Sequence, residues 1–152
     1  MSDLPFSTPT TQSTSFMGFR CKISPGPERT YATGEPYWYE TTVFDTENGV
    51  TQTPPSSGVL PSTKYTIPKT GYWSFYAQMA SFGQLILLEL RNGSTVILSG
   101  GSSSTSFSNA EITGVSYCEA GDVISITQGH ANSVGARTGE GIPQFQAFYV
   151  GG

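Results

Sequence analysis

Few residues in this chain are equipped for catalysis. One histidine, His130, stands in the run Gln128-Gly129-His130-Ala131. A nucleophilic triad needs a histidine base beside an activated Ser or Cys, and the Gly-x-Ser-x-Gly turn that presents such a serine is absent. His130 therefore reads as an idle loop residue. Cys21 and Cys118 sit far apart in separate strand-like runs. They make no disulfide framework and, with one histidine, no zinc-ligand spacing. Buried free thiols are the expected state, with one long-range bridge as the alternative.

Carboxylates are sparse, three Asp and eight Glu. A glycosidase needs two of them facing across a groove. Only Glu40 and Glu89 lie inside strong strand patterns, and Glu89 with Arg91 reads as a local ion pair on one strand face. The run Asp45-Thr46-Glu47-Asn48-Gly49 places the oxygens of Asp45 and Glu47 around a turn. It lacks the rest of a calcium loop, so a simple acidic turn is expected in place of a metal site. Asn92-Gly93-Ser94 matches a glycosylation acceptor but reads as a hairpin turn. The expectation is a non-enzyme with no cofactor and no metal.

Composition narrows the partners. The chain has 152 residues with only 12% charged, against about 25% in a typical soluble domain. Ser, Thr, Gly and Pro supply a surface of small neutral groups. The net charge of −4 argues against nucleic acid, whose binding needs a basic stripe, and against an anionic membrane surface. No apolar run is long enough to span a bilayer, and the start Met1-Ser2-Asp3-Leu4-Pro5-Phe6 has no signal-peptide pattern. Nineteen aromatics (nine Phe, eight Tyr and two Trp) argue against disorder.

The elements that carry these residues read as strands. Helical stripes are almost absent, and period-2 or short continuous apolar runs recur between Gly, Pro, Asn and Ser. Phe16–Ile23 has Met17, Phe19, Cys21 and Ile23 on one face. Tyr37–Asp45 reads as a second strand, 51–62 as an irregular loop, and 64–67 as a short strand. Gly71–Ala80 puts Trp73, Phe75, Ala77 and Met79 on one face. Gln84–Arg91, nearly all apolar, reads as a strand covered on both sides. Asn92-Gly93 turns it into Thr95–Leu98, and 100–106 reads as a flexible Gly/Ser loop. Ile112–Cys118, Val123–Thr127 and Phe145–Val150 follow, with 129–141 as a polar loop. About nine strands with no helix imply an antiparallel sandwich or jelly roll.

Aromatics come in consecutive groups: Tyr37, Trp38, Tyr39; Tyr72, Trp73, Phe75, Tyr76; Phe148, Tyr149. Successive strand residues point to opposite faces, so both faces of these strands carry rings. One core takes one face, and subunit contacts are the economical use of the other. Sugar stacking is the competing use.

Several motifs fall in a familiar order. Ile67-Pro68-Lys69-Thr70-Gly71-Tyr72-Trp73-Ser74-Phe75 resembles the P-x-x-G-x-Y-x-F strand start of the complement component 1q / tumour necrosis factor-like jelly rolls. Leu85–Leu90 with Arg91-Asn92-Gly93 is similar to that family's next hairpin. Ala120-Gly121-Asp122-Val123 resembles its G-D-x-V strand, and Phe145–Val150 its closing aromatic strand. The resemblance covers about 16–150. It implies an all-β, ten-strand jelly roll that assembles into homotrimers and binds proteins or glycans without catalysis. It implies Tyr72, Phe148 and Tyr149 as trimer-interface residues.

The chain departs from the secreted animal members in having no collagen-like stalk and no signal peptide. Residues 1–15 read as an extended arm, with Leu4 and Phe6 around Pro5 as an anchoring pair, and 16–152 as the jelly-roll domain. Together these features suggest a virion surface component, a decoration or fibre-like protein docked to a capsid or other virion protein by Leu4, Pro5 and Phe6. The alternative is a receptor- or glycan-binding adhesin head, extracellular or at a cell surface. No nucleic acid and no membrane insertion are expected.

Overall fold

The computed structural model describes residues 16–152 apart from 25, 27, 82–83, 103–107 and 137–142. The arm expected over 1–15, with Leu4, Pro5 and Phe6, lies outside the described residues. The expected all-β class is observed, with twelve strands and no helix among the described residues. In chain order they are β1 (Gly18–Lys22), β2 (Arg29–Tyr31), β3 (Thr41–Asp45), β4 (Val50–Thr53), β5 (Ser62–Thr66), β6 (Gly71–Ser81), β7 (Leu87–Asn92), β8 (Thr95–Gly101), β9 (Ser108–Cys118), β10 (Val123–Gln128), β11 (Val134–Ala136) and β12 (Gln144–Gly151).

Ten of these strands make two five-stranded antiparallel sheets. The first runs β3-β1-β12-β6-β9 and the second β4-β5-β10-β7-β8. The remaining two, β2 and β11, pair as a short ribbon at one end of the sandwich. The period-2 reading of β1 and β6 holds. Phe19 and Cys21, and Trp73, Phe75, Ala77 and Met79, are all buried between the sheets. The second sheet supplies Tyr65, Leu88, Leu90, Ile124 and Ile126 to the same core. Phe19 stacks on Tyr65 across the gap with ring centroids 4.1 Å apart, so the two sheets share one aromatic-rich interior.

The structure corrects five local expectations. Residues 37–40 are not part of a strand. The amide of Tyr37 donates to Ile126 of the second sheet, while β3 pairs with β1 of the first. This segment therefore crosses between sheets, and the crossing puts both Tyr37 and Tyr39 into the core. β4 forms inside the stretch expected to be irregular. Its Gln52 bonds the Tyr39 carbonyl of the crossing segment and Thr63, its partner on β5, a polar linkage with no apolar period to announce it. The strand β7 is covered on one face only, since Leu88 and Leu90 are buried while Leu87 is half-buried and the preceding Leu85 is exposed.

β8 extends into the Gly/Ser run as far as Gly101. A side chain at Gly100 would run into the Glu111 carbonyl, so glycine permits the close approach of β8 to β9. The hairpin after β7 has Gly93-Ser94 as its loop, one residue later than Asn-Gly suggests. Gly93 has φ +60° and Ser94 does not have a positive φ, the pattern of a type II′ turn with glycine first.

Candidate assembly surface

The face of the first sheet turned away from the core is built by the alternate residues of its strands. β6 contributes Tyr72, Ser74 and Tyr76, β9 contributes Thr113, Val115 and Tyr117, and β12 contributes Phe148. Tyr72 pairs with Tyr117, and their rings meet edge to face at 5.4 Å. They are 50% and 54% exposed, and Val115 beside them is 56% exposed. Further along, Phe148 contacts Phe44 of β3 and Phe16, with centroids 6.0 and 6.1 Å away. Phe16 is itself 60% exposed. An apolar and aromatic band thus crosses this outer face from β9 to β3. Arg20 joins it through its stem and guanidinium, which bonds Gln146 at 2.8 Å and lies over Phe44.

The three residues named from sequence do not share one environment. Tyr72 and Phe148 lie on this outer face. Tyr149 has the opposite parity and packs against the core, with its ring 5.5 Å from Trp73 and the Lys69 ammonium 4.8 Å above it. Val115 and Tyr117 were missed. Their signal was present in Thr113-Gly114-Val115-Ser116-Tyr117, where the larger side chains fall on the parity opposite to Ile112 and Cys118.

The residues read as chemically idle are occupied structurally. The amide of His130 donates to Gln128 Oε1, its Nδ1 accepts from Asn132, and its carbonyl accepts from Thr33. It is a turn residue. Cys21 and Cys118 are free and buried. Strands β12 and β6 separate them, about 14 Å at the usual strand spacing, too far for a disulfide. Burial pushes each thiol up to about 11, which leaves little thiolate at neutral pH.

Asp45 closes its own turn, accepting from the amides of Gly49 at 3.1 Å and Val50 at 2.8 Å. Asn48 there has φ 54°. Among the described residues no three His, Cys, Asp or Glu side chains gather in a metal-binding group. Asn92 donates to Asp122 at 2.8 Å, which ties the hairpin turn to the start of β10. Glu89 and Arg91 form the expected ion pair, 2.5 Å long.

Solved structures share this architecture. The globular domain of zebrafish complement 1qA is similar over 88% of this chain and 97% of its own, with a TM-score of 0.62 and 13% identity. Eiger TNF from S. frugiperda matches over 89% and 92%, with a TM-score of 0.66 and 12% identity. The fold is the complement 1q/tumour necrosis factor jelly roll. Murine APRIL extends the likeness, covering 89% of this chain and 99% of its own at a TM-score of 0.59 and 12% identity. No protein-family model and no curated protein matches the sequence. This jelly roll is thus recognised through its topology and a handful of strand motifs.

Proposed function

We propose that this chain is a non-enzymatic head that assembles as a homotrimer through the outer face of its first sheet. The observation that carries the reading is the outer band of exposed Tyr72, Val115, Tyr117 and Phe16, joined by half-buried Phe148. Water-facing rings clustered on one face mark an association surface. The number three comes from the fold-level resemblance. The absence of enzymatic activity is supported by the occupied state of His130 and by two thiols held protonated.

The finer reading is a virion surface component. The arm, with Leu4, Pro5 and Phe6, would anchor the head to a capsid or other virion protein, and the polar face of the second sheet would look outward. What supports this is the neutral Ser/Thr/Gly surface and the apolar pair ahead of a Ser/Thr/Pro run. Light scattering of the full chain at micromolar concentration tests the assembly, with a trimer expected and a monomer refuting it. Deleting residues 1–15 is expected to leave the trimer intact and to abolish its incorporation into the parent particle. Full occupancy by the truncated chain would place attachment on the jelly-roll body.

A further inference from the structure

At the end of the sandwich, on either side of β2, lie two cavities of about 70 and 200 Å3. Arg29 and Tyr31 line both of them. The smaller is also lined by Trp38, Glu40 and Ser24, and the larger by Glu35 and the exposed Leu60. The fold makes little use of the polar groups here. The Arg29 guanidinium sits 4.9 Å over the Trp38 ring and has no ion pair among the described residues. A guanidinium stacked on an indole keeps its N–H edge free to donate in its own plane. Glu40 accepts one bond, from the Ser24 amide to Oε1, and Glu35 accepts one, from the Ala32 amide to Oε2. One oxygen of each carboxylate therefore has no bond to a described residue.

The charge balance selects the ligand class. In either cavity an anion would meet Arg29 but also one glutamate, Glu40 in the smaller and Glu35 in the larger, and a cation would meet that glutamate but also Arg29. A hydroxyl donates and accepts at once, so it satisfies a guanidinium and a carboxylate together. A neutral ligand with adjacent hydroxyls and a C–H-rich body matches this mixture of fork, carboxylate and apolar rim. We propose that the end of the sandwich beside β2 binds a neutral sugar, with adjacent hydroxyls bonded to Arg29 and Glu40. The proposal rests on the reading of the chain as a binding head rather than an enzyme. It does not depend on the first-sheet face, which lies on other strands.

Tryptophan fluorescence offers a direct test on the full chain. Trp73 is fully buried and donates to the Lys69 carbonyl, so a sugar at this end changes the emission of Trp38. Methyl glucoside, galactoside and mannoside are titrated to about 100 mM, with millimolar affinity expected for one of them. Arg29→Ala and Glu40→Gln should each weaken that binding about tenfold or more, since a hydrogen bond to a charged group is lost. Glucuronate and glucosamine, one charge each, should bind no better than the neutral glycoside.

Three results overturn the site: no saturable change with any neutral glycoside, tighter binding of a charged sugar, or unchanged affinity in both variants. Glu40 is solvent-exposed, so Glu40→Gln keeps the test valid if Arg29→Ala fails to fold. Light scattering of the same samples separates the two readings. A trimer without sugar binding refutes the site alone, and a sugar-binding monomer refutes the assembly alone.

Discussion

The two outer faces of this sandwich are made by the same backbone alternation and end with opposite chemistry. On the second sheet the outward row runs Thr51, Lys64, Ser125, Arg91, Val96, and the next includes Glu89 and Ser99. Hydroxyls and a local ion pair keep that face wet. On the first sheet the corresponding positions hold Tyr72, Val115, Tyr117, Phe148 and Phe44, with Phe16 beside them. Both sheets bury the same kind of side chain inward, so core formation does not require the difference. An aromatic outer face adds nothing to an isolated sandwich and stabilises one whose face is covered.

The sharpest way to break the comparison is to place a charge on each face. Tyr117→Asp, or Val115→Asp, should convert the proposed trimer to monomer, because an unpaired buried carboxylate costs about 3–5 kcal/mol. Thr66→Asp on the second sheet should leave the mass by light scattering unchanged. Equal effects at both positions would remove the distinction between the faces.

Neighbouring residues of β12 give a second contrast. Tyr149→Ala strips a ring from Trp73 and should lower the stability of the chain by about 2–3 kcal/mol in denaturant. Phe148→Ala should act mainly on the concentration dependence of assembly and less on the stability of the chain itself. If the two variants swap behaviour, the parity assigned to this strand is wrong.

The interior common to both sheets is probed by pH. Burial raises the thiols of Cys21 and Cys118 from 9.0 to about 11. A group whose pKa is raised on folding contributes stability below its unfolded value and loses that contribution as pH rises through the folded one. Stability should therefore decline between about pH 9 and 11, and the double variant Cys21→Ala, Cys118→Ala should flatten that slope. The buried hydroxyls of Tyr37 and Tyr65, also raised by burial, keep some alkaline sensitivity in the variant. A thiol reagent should react slowly with the native chain at pH 8 and fully after unfolding. The smallest effect is expected at the polar face itself. Glu89→Gln breaks a partly exposed ion pair and should cost no more than about 1 kcal/mol in thermal unfolding.

Much of the sandwich was legible because period-2 burial is a local property. The runs around Phe19 and Trp73 announce their inward faces without reference to partners. Other parts depend on partners that sequence does not show. β2 and β11 are three residues each and hold together through each other across a hundred positions. β4 has no apolar period, and Gln52 earns its place through bonds to Tyr39 and Thr63. Tyr37 and Tyr39 looked like half of a strand face because alternation cannot distinguish a strand from a chain crossing between sheets.

The amino-acid sequence alone determined the all-β class, the shared face of Phe19 and Cys21 in β1 and of Trp73, Phe75, Ala77 and Met79 in β6, the acidic turn after Asp45 and the Glu89–Arg91 ion pair. Each follows from residue type and short-range spacing. The tertiary structure decided which parity of β9 and β12 is left outside, since that depends on which sheet face meets the core. It packed Tyr149 against the core while leaving Val115 and Tyr117 exposed. It also brought Arg29, Trp38 and Glu40 to one cavity at the sandwich end. These three lie close in sequence, but the wall behind them includes Ala136 from β11, which only long-range pairing carries there.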